Sequence, residues 1–274
     1  MAKQGYCNLC GLYKSLTFEH VPPRCTGNNH LARVFGIEQF IRQTRLENEL
    51  GKALPRLMRH RLPQGLGAET ICDECNNGLL AHYYVPAYLE LAGQALELMA
   101  KAPRDPRVLC SFWLKPLNVI KQVISMTIAT APPSTMAGST YMALRGFVLN
   151  RYLTGLPPKL RVHMYLHSGS LPRFDSSPGA MIRMRDSSTK VELANVVYSE
   201  ISTSPFGFTV ADENDQGRAL GDLARLCDVT WFARFPYNVL IHSHLWLPIL
   251  ETPGPTMFDY RSASDIGDAR LSAL

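Results

Sequence analysis

The sequence predicts an α+β protein in two parts: a cysteine-framed N-terminal module with a helical insert, then an α+β region with antiparallel strands. Three observations carry this reading. Two C-x-x-C pairs, Cys7/Cys10 and Cys72/Cys75, bracket the opening segment. Apolar residues recur at helical spacing after the second pair and again over residues 116–129. Beyond Pro132-Pro133-Ser134 the pattern changes to short β-branched and aromatic runs, at 159–167, 180–185, 190–197, 206–211, 229–235 and 238–246. The parts are expected to divide at residues 1–103 and 104–274.

The first element is a turn-rich stretch in which Cys7-Asn8-Leu9-Cys10-Gly11 forms a knuckle, its glycine allowing the tight backbone. A strand follows over residues 15–21 and is stopped by Pro22-Pro23, which places Glu19 and His20 at its end. Residues 31–64 read as one or two helices broken at Gly51, Pro55 and Pro63. They hold seven of the 28 Lys and Arg residues (Arg33, Arg42, Arg45, Lys52, Arg56, Arg59, Arg61) against Glu38, Glu47 and Glu49. That local excess suits phosphate, with a solvated helical face as the plain alternative.

A short helix is expected over residues 76–84. Leu89, Leu91, Ala95, Leu96 and Met99 then mark an amphipathic helix to about residue 100, and a further helix spans 116–129. Trp113, Trp231 and Trp246 are read as core residues, and Cys25, Cys110 and Cys227 as buried thiols. His242 and His244 share one face of a strand, where a structural role is expected. His82 is out of phase with Asn76 on a helix and is left out of the site.

With 46% apolar residues, the 274-residue chain can bury a substantial core. The run Met1-Ala2-Lys3-Gln4-Gly5 has no apolar leader, so a cytoplasmic address is expected. The apolar stretch 119–131 is interrupted by Lys121, Gln122 and Ser125 and falls short of the ~20 residues of a membrane span. Seven cysteines in such a chain point to metal rather than disulfides. Zinc takes four thiolates in a tetrahedron, and Cys7, Cys10, Cys72 and Cys75 supply them on two tight turns. The 61 residues between Cys10 and Cys72 exceed a simple zinc ribbon, so the intervening chain must fold by itself and return.

Between the knuckles lies Thr17-Phe18-Glu19-His20-Val21-Pro22-Pro23, and after the second comes Cys75-Asn76-Asn77-Gly78-Leu79. Over about residues 7–85 this order resembles the HNH endonucleases. The resemblance implies a zinc-bound ββα-metal, treble-clef-like finger with His20 as general base. Glu19 and Asn76 become the oxygen ligands of a catalytic Mg²⁺ or Mn²⁺, beside a structural Zn²⁺ on the four cysteines. Such residues meet the needs of phosphodiester hydrolysis, which are a base for water and a cation for the charge on phosphorus. DNA is the implied substrate, with RNA the alternative; restriction or phage defence is the implied setting. Target choice would then come from the C-terminal region, read as serving target recognition or regulation, or from a partner; a homo-oligomer or a partner protein is the implied association.

Two positions depart from the family pattern. Gly67 stands where many members carry a buttressing Asn, and Leu79 where they often carry Lys. A zinc-framed nucleic-acid-binding module without catalysis is the alternative reading. A sensor whose C-terminal region binds a small molecule or protein ranks third.

Overall fold

In the computed structural model, residues 3–29, 32–34, 60–101, 107–131, 138–167, 173–174, 180–185, 192–212 and 226–250 are described. The chain opens with strands β1 (Gln4–Tyr6) and β2 (Tyr13–His20), paired antiparallel around the first cysteine knuckle with Gln4 opposite Ser15 and Tyr6 opposite Tyr13. The ends of the expected helical insert are strands instead, β3 (Ala32–Val34) and β4 (His60–Leu62), paired with Arg33 opposite Arg61. The helix reading rested on local spacing, which carries no record of a partner some thirty residues away. Arg42, Arg45, Lys52, Arg56 and Arg59 lie outside the described residues. Strand β5 (Gly67–Cys72) then pairs with β2, giving the order β1-β2-β5.

From β5 the chain enters a π-helical segment, Glu74–Leu80, in which the Ala81 N–H donates to the Asn76 carbonyl. A short α-turn, Ala81–Tyr83, leads to helix α1 (Val85–Lys101), as the apolar spacing predicts. After strand β6 (Arg107–Leu114), helix α2 (Pro116–Thr130) starts with a proline at its first position, where the missing N–H costs nothing. All fifteen residues of α2 are buried. Its interior hydroxyls turn back on the backbone: Ser125, Thr127 and Thr130 donate to carbonyls of their own helix. The Lys121 ammonium lies 3.7 Å from the Phe147 ring centroid and donates to the carbonyls of Phe147 and Asn150.

Helix α3 (Ser139–Leu149) was not expected in a region read as strand-like. Its stripe of Tyr141, Leu144, Phe147 and Val148 is short and is interrupted by Gly146, so the helical period is faint in the sequence.

The C-terminal strands are β7 (Leu160–His167), β8 (Arg173–Phe174), β9 (Ala180–Arg185), β10 (Glu192–Thr203), β11 (Phe206–Asp212), β12 (Cys227–Asp228) and β13 (Ile241–Leu250). With β6 they form an eight-stranded sheet in the order β6-β13-β7-β11-β10-β8, with β12 beside β7 and β9 beside β10. The pairs are antiparallel except β13 with β7, which run parallel, so the sheet is mixed where antiparallel pairing alone was expected. The expected strand 229–235 is a 3₁₀ turn, Thr230–Arg234. The Asp228 carboxylate accepts from the Thr230 N–H and starts the turn, an ordering that the β-branched and aromatic composition hides.

Trp113 and Trp246 are 57% and 59% exposed on β6 and β13, which corrects their reading as core residues. They occupy the outward side of an alternating pair whose inward side carries Cys110, Phe112, Leu245 and Leu247. The outer edge of β6 is covered at Trp113, whose N–H and carbonyl both bond the Gln94 side-chain amide of α1. Cys25 is exposed, Cys110 buried and Cys227 half-buried, so the buried-thiol expectation fails at Cys25. One apolar cluster runs without interruption from Cys7 and Leu9 through α2 to Leu247. Among the described residues no helix is long and apolar enough to cross a membrane.

Candidate metal centre and active site

The first knuckle is closed by its own backbone. Cys7 N–H donates to the Leu12 carbonyl and Gly11 N–H to the Cys7 carbonyl, with Gly11 at φ +78°, a conformation that favours glycine. Helix α3 braces this loop: the Arg145 guanidinium donates to the Leu9 carbonyl at 2.8 Å and lies where a Gly11 side chain would sit. The second knuckle spans a junction, with Cys72 ending β5 and Cys75 in the first turn of the π-helical segment. Lys14 of β2 reaches this junction through a 2.7 Å ion pair with Glu74.

The four sulfur atoms of Cys7, Cys10, Cys72 and Cys75 lie within 4.8 Å of one another, and Cys10 Sγ is 3.8 Å from Cys72 Sγ. A zinc ion with four Zn–S bonds of ~2.3 Å sets tetrahedral edges of about 3.8 Å, so the cluster is able to hold a structural metal such as zinc. Its electrostatics agree. A hydrogen bond from Cys75, with backbone N–H groups of Cys10, Cys72 and Leu9, holds the Cys7 thiol down to about 4. The same bond, and then burial, push Cys75 upward, while burial takes Cys72 up to about 12. Cys7, Cys72 and Cys75 thus resist ionising together, a conflict that a divalent cation at the centre of the cluster would remove.

This frame presses the helical segment onto β2. The Asn76 side-chain amide donates to Thr17 Oγ1 at 3.0 Å and to the Phe18 carbonyl at 3.4 Å. Asn76 is therefore fixed to the strand just before Glu19 and His20; among the described residues it makes no hydrogen bond to either of those side chains. Neither asparagine caps the helix through its side chain. Asn77 instead donates to Asp73 at 2.6 Å, and its carbonyl takes the His82 ring at 2.6 Å, outside the site.

Glu19 is only 5% exposed, and burial pushes its carboxyl up to about 8. His20 is half-buried against the Phe18 ring at a centroid distance of 4.9 Å. Burial, aided by Arg24, outweighs a backbone contact with Asn28 and lowers its pKa, which favours the neutral imidazole. Its Nδ1 is buried without a hydrogen-bond partner.

Gly67 pairs with His20 across β2 and β5, and a Cβ there would lie 2.1 Å from the Glu19 carbonyl oxygen. No side chain fits, so an asparagine buttress at this position is sterically closed. Asn28 holds the loop instead. Its amide donates to the carbonyls of Pro22 and Leu66 at 2.7 Å each, and its Oδ1 accepts from the Leu66 N–H. Sequence reasoning passed over Asn28; an asparagine beside Gly27 in a turn-rich segment is the one signal it offered. Leu79 packs against the core and offers phosphate nothing.

Compared with known proteins, the chain matches no family model, no curated protein and no solved structure.

Proposed function

We propose that the protein is a metal-dependent endonuclease of HNH type, cutting phosphodiester bonds in DNA, with the four-cysteine cluster as a zinc scaffold. The supporting observation is the fastening of Asn76 to β2 immediately before Glu19-His20, by a frame whose thiols are spaced for one tetrahedral ion. In this reading the strand, strand and helical segment that carry the four cysteines form a ββα-metal finger.

His20 acts as the base. Its lowered pKa favours the neutral ring, the form that takes a proton from water. Asn76 offers its carboxamide oxygen and Glu19 its carboxylate to a divalent cation, which when bound would neutralise charge on the scissile phosphate. Asn28 holds the turn after His20 and so keeps the ring in place.

One observation favours a second reading. Glu19 is buried and protonated near neutrality, a poor ligand as it stands, which suits a zinc-framed nucleic-acid-binding module without catalysis. A plasmid-nicking assay with Mg²⁺ or Mn²⁺ separates the two. The zinc-loaded protein should nick, and a folded, zinc-loaded His20→Ala protein should lose at least about a hundredfold in rate. Equal cutting by the variant would remove His20 from the reaction, and no cutting by either protein would favour the binding module.

A further inference from the structure

Seven residues beyond Asn76 on the same helical run, Tyr83 forms one wall of a cluster around Arg151. The guanidinium carbon lies 4.7 Å from the Tyr152 ring centroid, 4.9 Å from that of Tyr83 and 5.7 Å from that of Tyr237. Tyr237 stands edge-on to both other rings, at 5.5 Å from Tyr152 and 6.3 Å from Tyr83. The platform is pinned from beneath by Asn118 at the start of α2. Its amide donates to the Tyr83 carbonyl at 2.8 Å, and its Oδ1 accepts from the Asn238 N–H at 3.0 Å.

Among the described residues the cation so held has no carboxylate partner: the ion pairs are Lys14–Glu74 and Lys115–Glu90, and Arg151 takes part in neither. The guanidinium also hydrogen-bonds the Tyr152 side chain, and its remaining N–H groups stay available for the oxygens of a phosphate. Arg151 is half-exposed and Tyr152 is 62% exposed, so an incoming anion reaches them and a nucleobase has a ring to stack on.

We propose that Arg151, on its tyrosine platform, is a phosphodiester contact for a nucleic-acid strand passing the His20–Asn76 site. The inference rests on the reading of that site as one that acts on nucleic acid. It supplies the phosphate contact that Leu79 does not make, from a residue distant in sequence.

The test is the salt dependence of binding of a labelled DNA duplex to the zinc-loaded full chain, without added divalent cation. Losing one phosphate contact should lower the slope of log K against log salt by about 0.9 and weaken binding several-fold. Arg151→Ala and Arg151→Gln should both show this, the glutamine keeping part of the packing should the alanine variant fail to fold. Arg151→Lys should retain the slope. An unchanged slope in folded Arg151→Gln overturns the proposal and assigns the platform to fastening three chain segments. Displacement of the duplex by an acidic peptide from wild type but not from Arg151→Gln overturns it in favour of a protein partner. The nicking assay is independent: a slope lowered by one contact without nicking leaves the proposal standing and removes the nuclease, and nicking with an unchanged slope does the reverse.

Discussion

Lys121 puts a cation inside a helix that is buried on every side, between two carbonyl acceptors and over a ring. Burial lowers its pKa from 10.5 to about 7. Between those values the unfolded chain binds a proton that the folded chain does not, so this group makes stability rise with pH through that window. Its penalty is fully present below pH ~7 and fades as pH approaches ~10.5. In Lys121→Met the contribution disappears. Urea midpoints should therefore show wild type gaining on the variant between about pH 7 and about pH 9, and a constant difference would place the lysine pKa outside this window. At this scale the sequence was readable where partners are local. The four cysteines announce themselves as two C-x-x-C pairs, and Glu19-His20 stands out at a strand end stopped by prolines. Asn28 did not, because its partner Leu66 is 38 residues away. The platform of Arg151 gathers three tyrosines that no spacing rule connects.

The elements meet through a small number of buried bonds. Asn8, between the cysteines of the first knuckle, is 5% exposed and donates to the carbonyls of Ile128 and Ala131 at the end of α2. From β5, Thr70 Oγ1 donates to the Ala129 carbonyl at 2.6 Å. The first knuckle thus joins the Ala131 N–H and the Tyr141 hydroxyl, which also bond the Ile128 carbonyl, in closing the end of the helix. Asn8→Ala leaves two carbonyls without that donor and should cost about 1–3 kcal/mol in urea unfolding while zinc content stays unchanged. A loss of zinc with no loss of stability would show that the residue serves the knuckle alone. Helices α1 and α2 were legible because their apolar spacing is regular. The segments at 32–34, 60–62 and 230–234 were not, since pairing across the insert in one case and an Asp-started turn in the other decide them against local propensity.

On the scale of the molecule, the four-cysteine cluster and the sheet share one apolar cluster around α2. Loss of the metal should accordingly be felt throughout. Metal analysis is expected to find one zinc per chain, and Cys72→Ser to lose it and to lower Tm by about 10 °C or more. Because the core is continuous, both proteins should melt in a single transition followed equally by far-UV signal and tryptophan fluorescence, although Trp231 is far in sequence from the cysteines. Separate transitions would mean that the cysteine module folds on its own.

The edge of β6 has a consequence for association. An exposed edge strand offers a row of N–H and carbonyl groups to any neighbour that can align with it, including another copy of the same chain. Here the Gln94 carboxamide occupies both groups of Trp113, imitating the peptide unit a visiting strand would bring. A newcomer at that point must first dislodge a helix side chain whose two bonds already satisfy the ladder. The sheet is closed at that point of β6 against growth by strand addition.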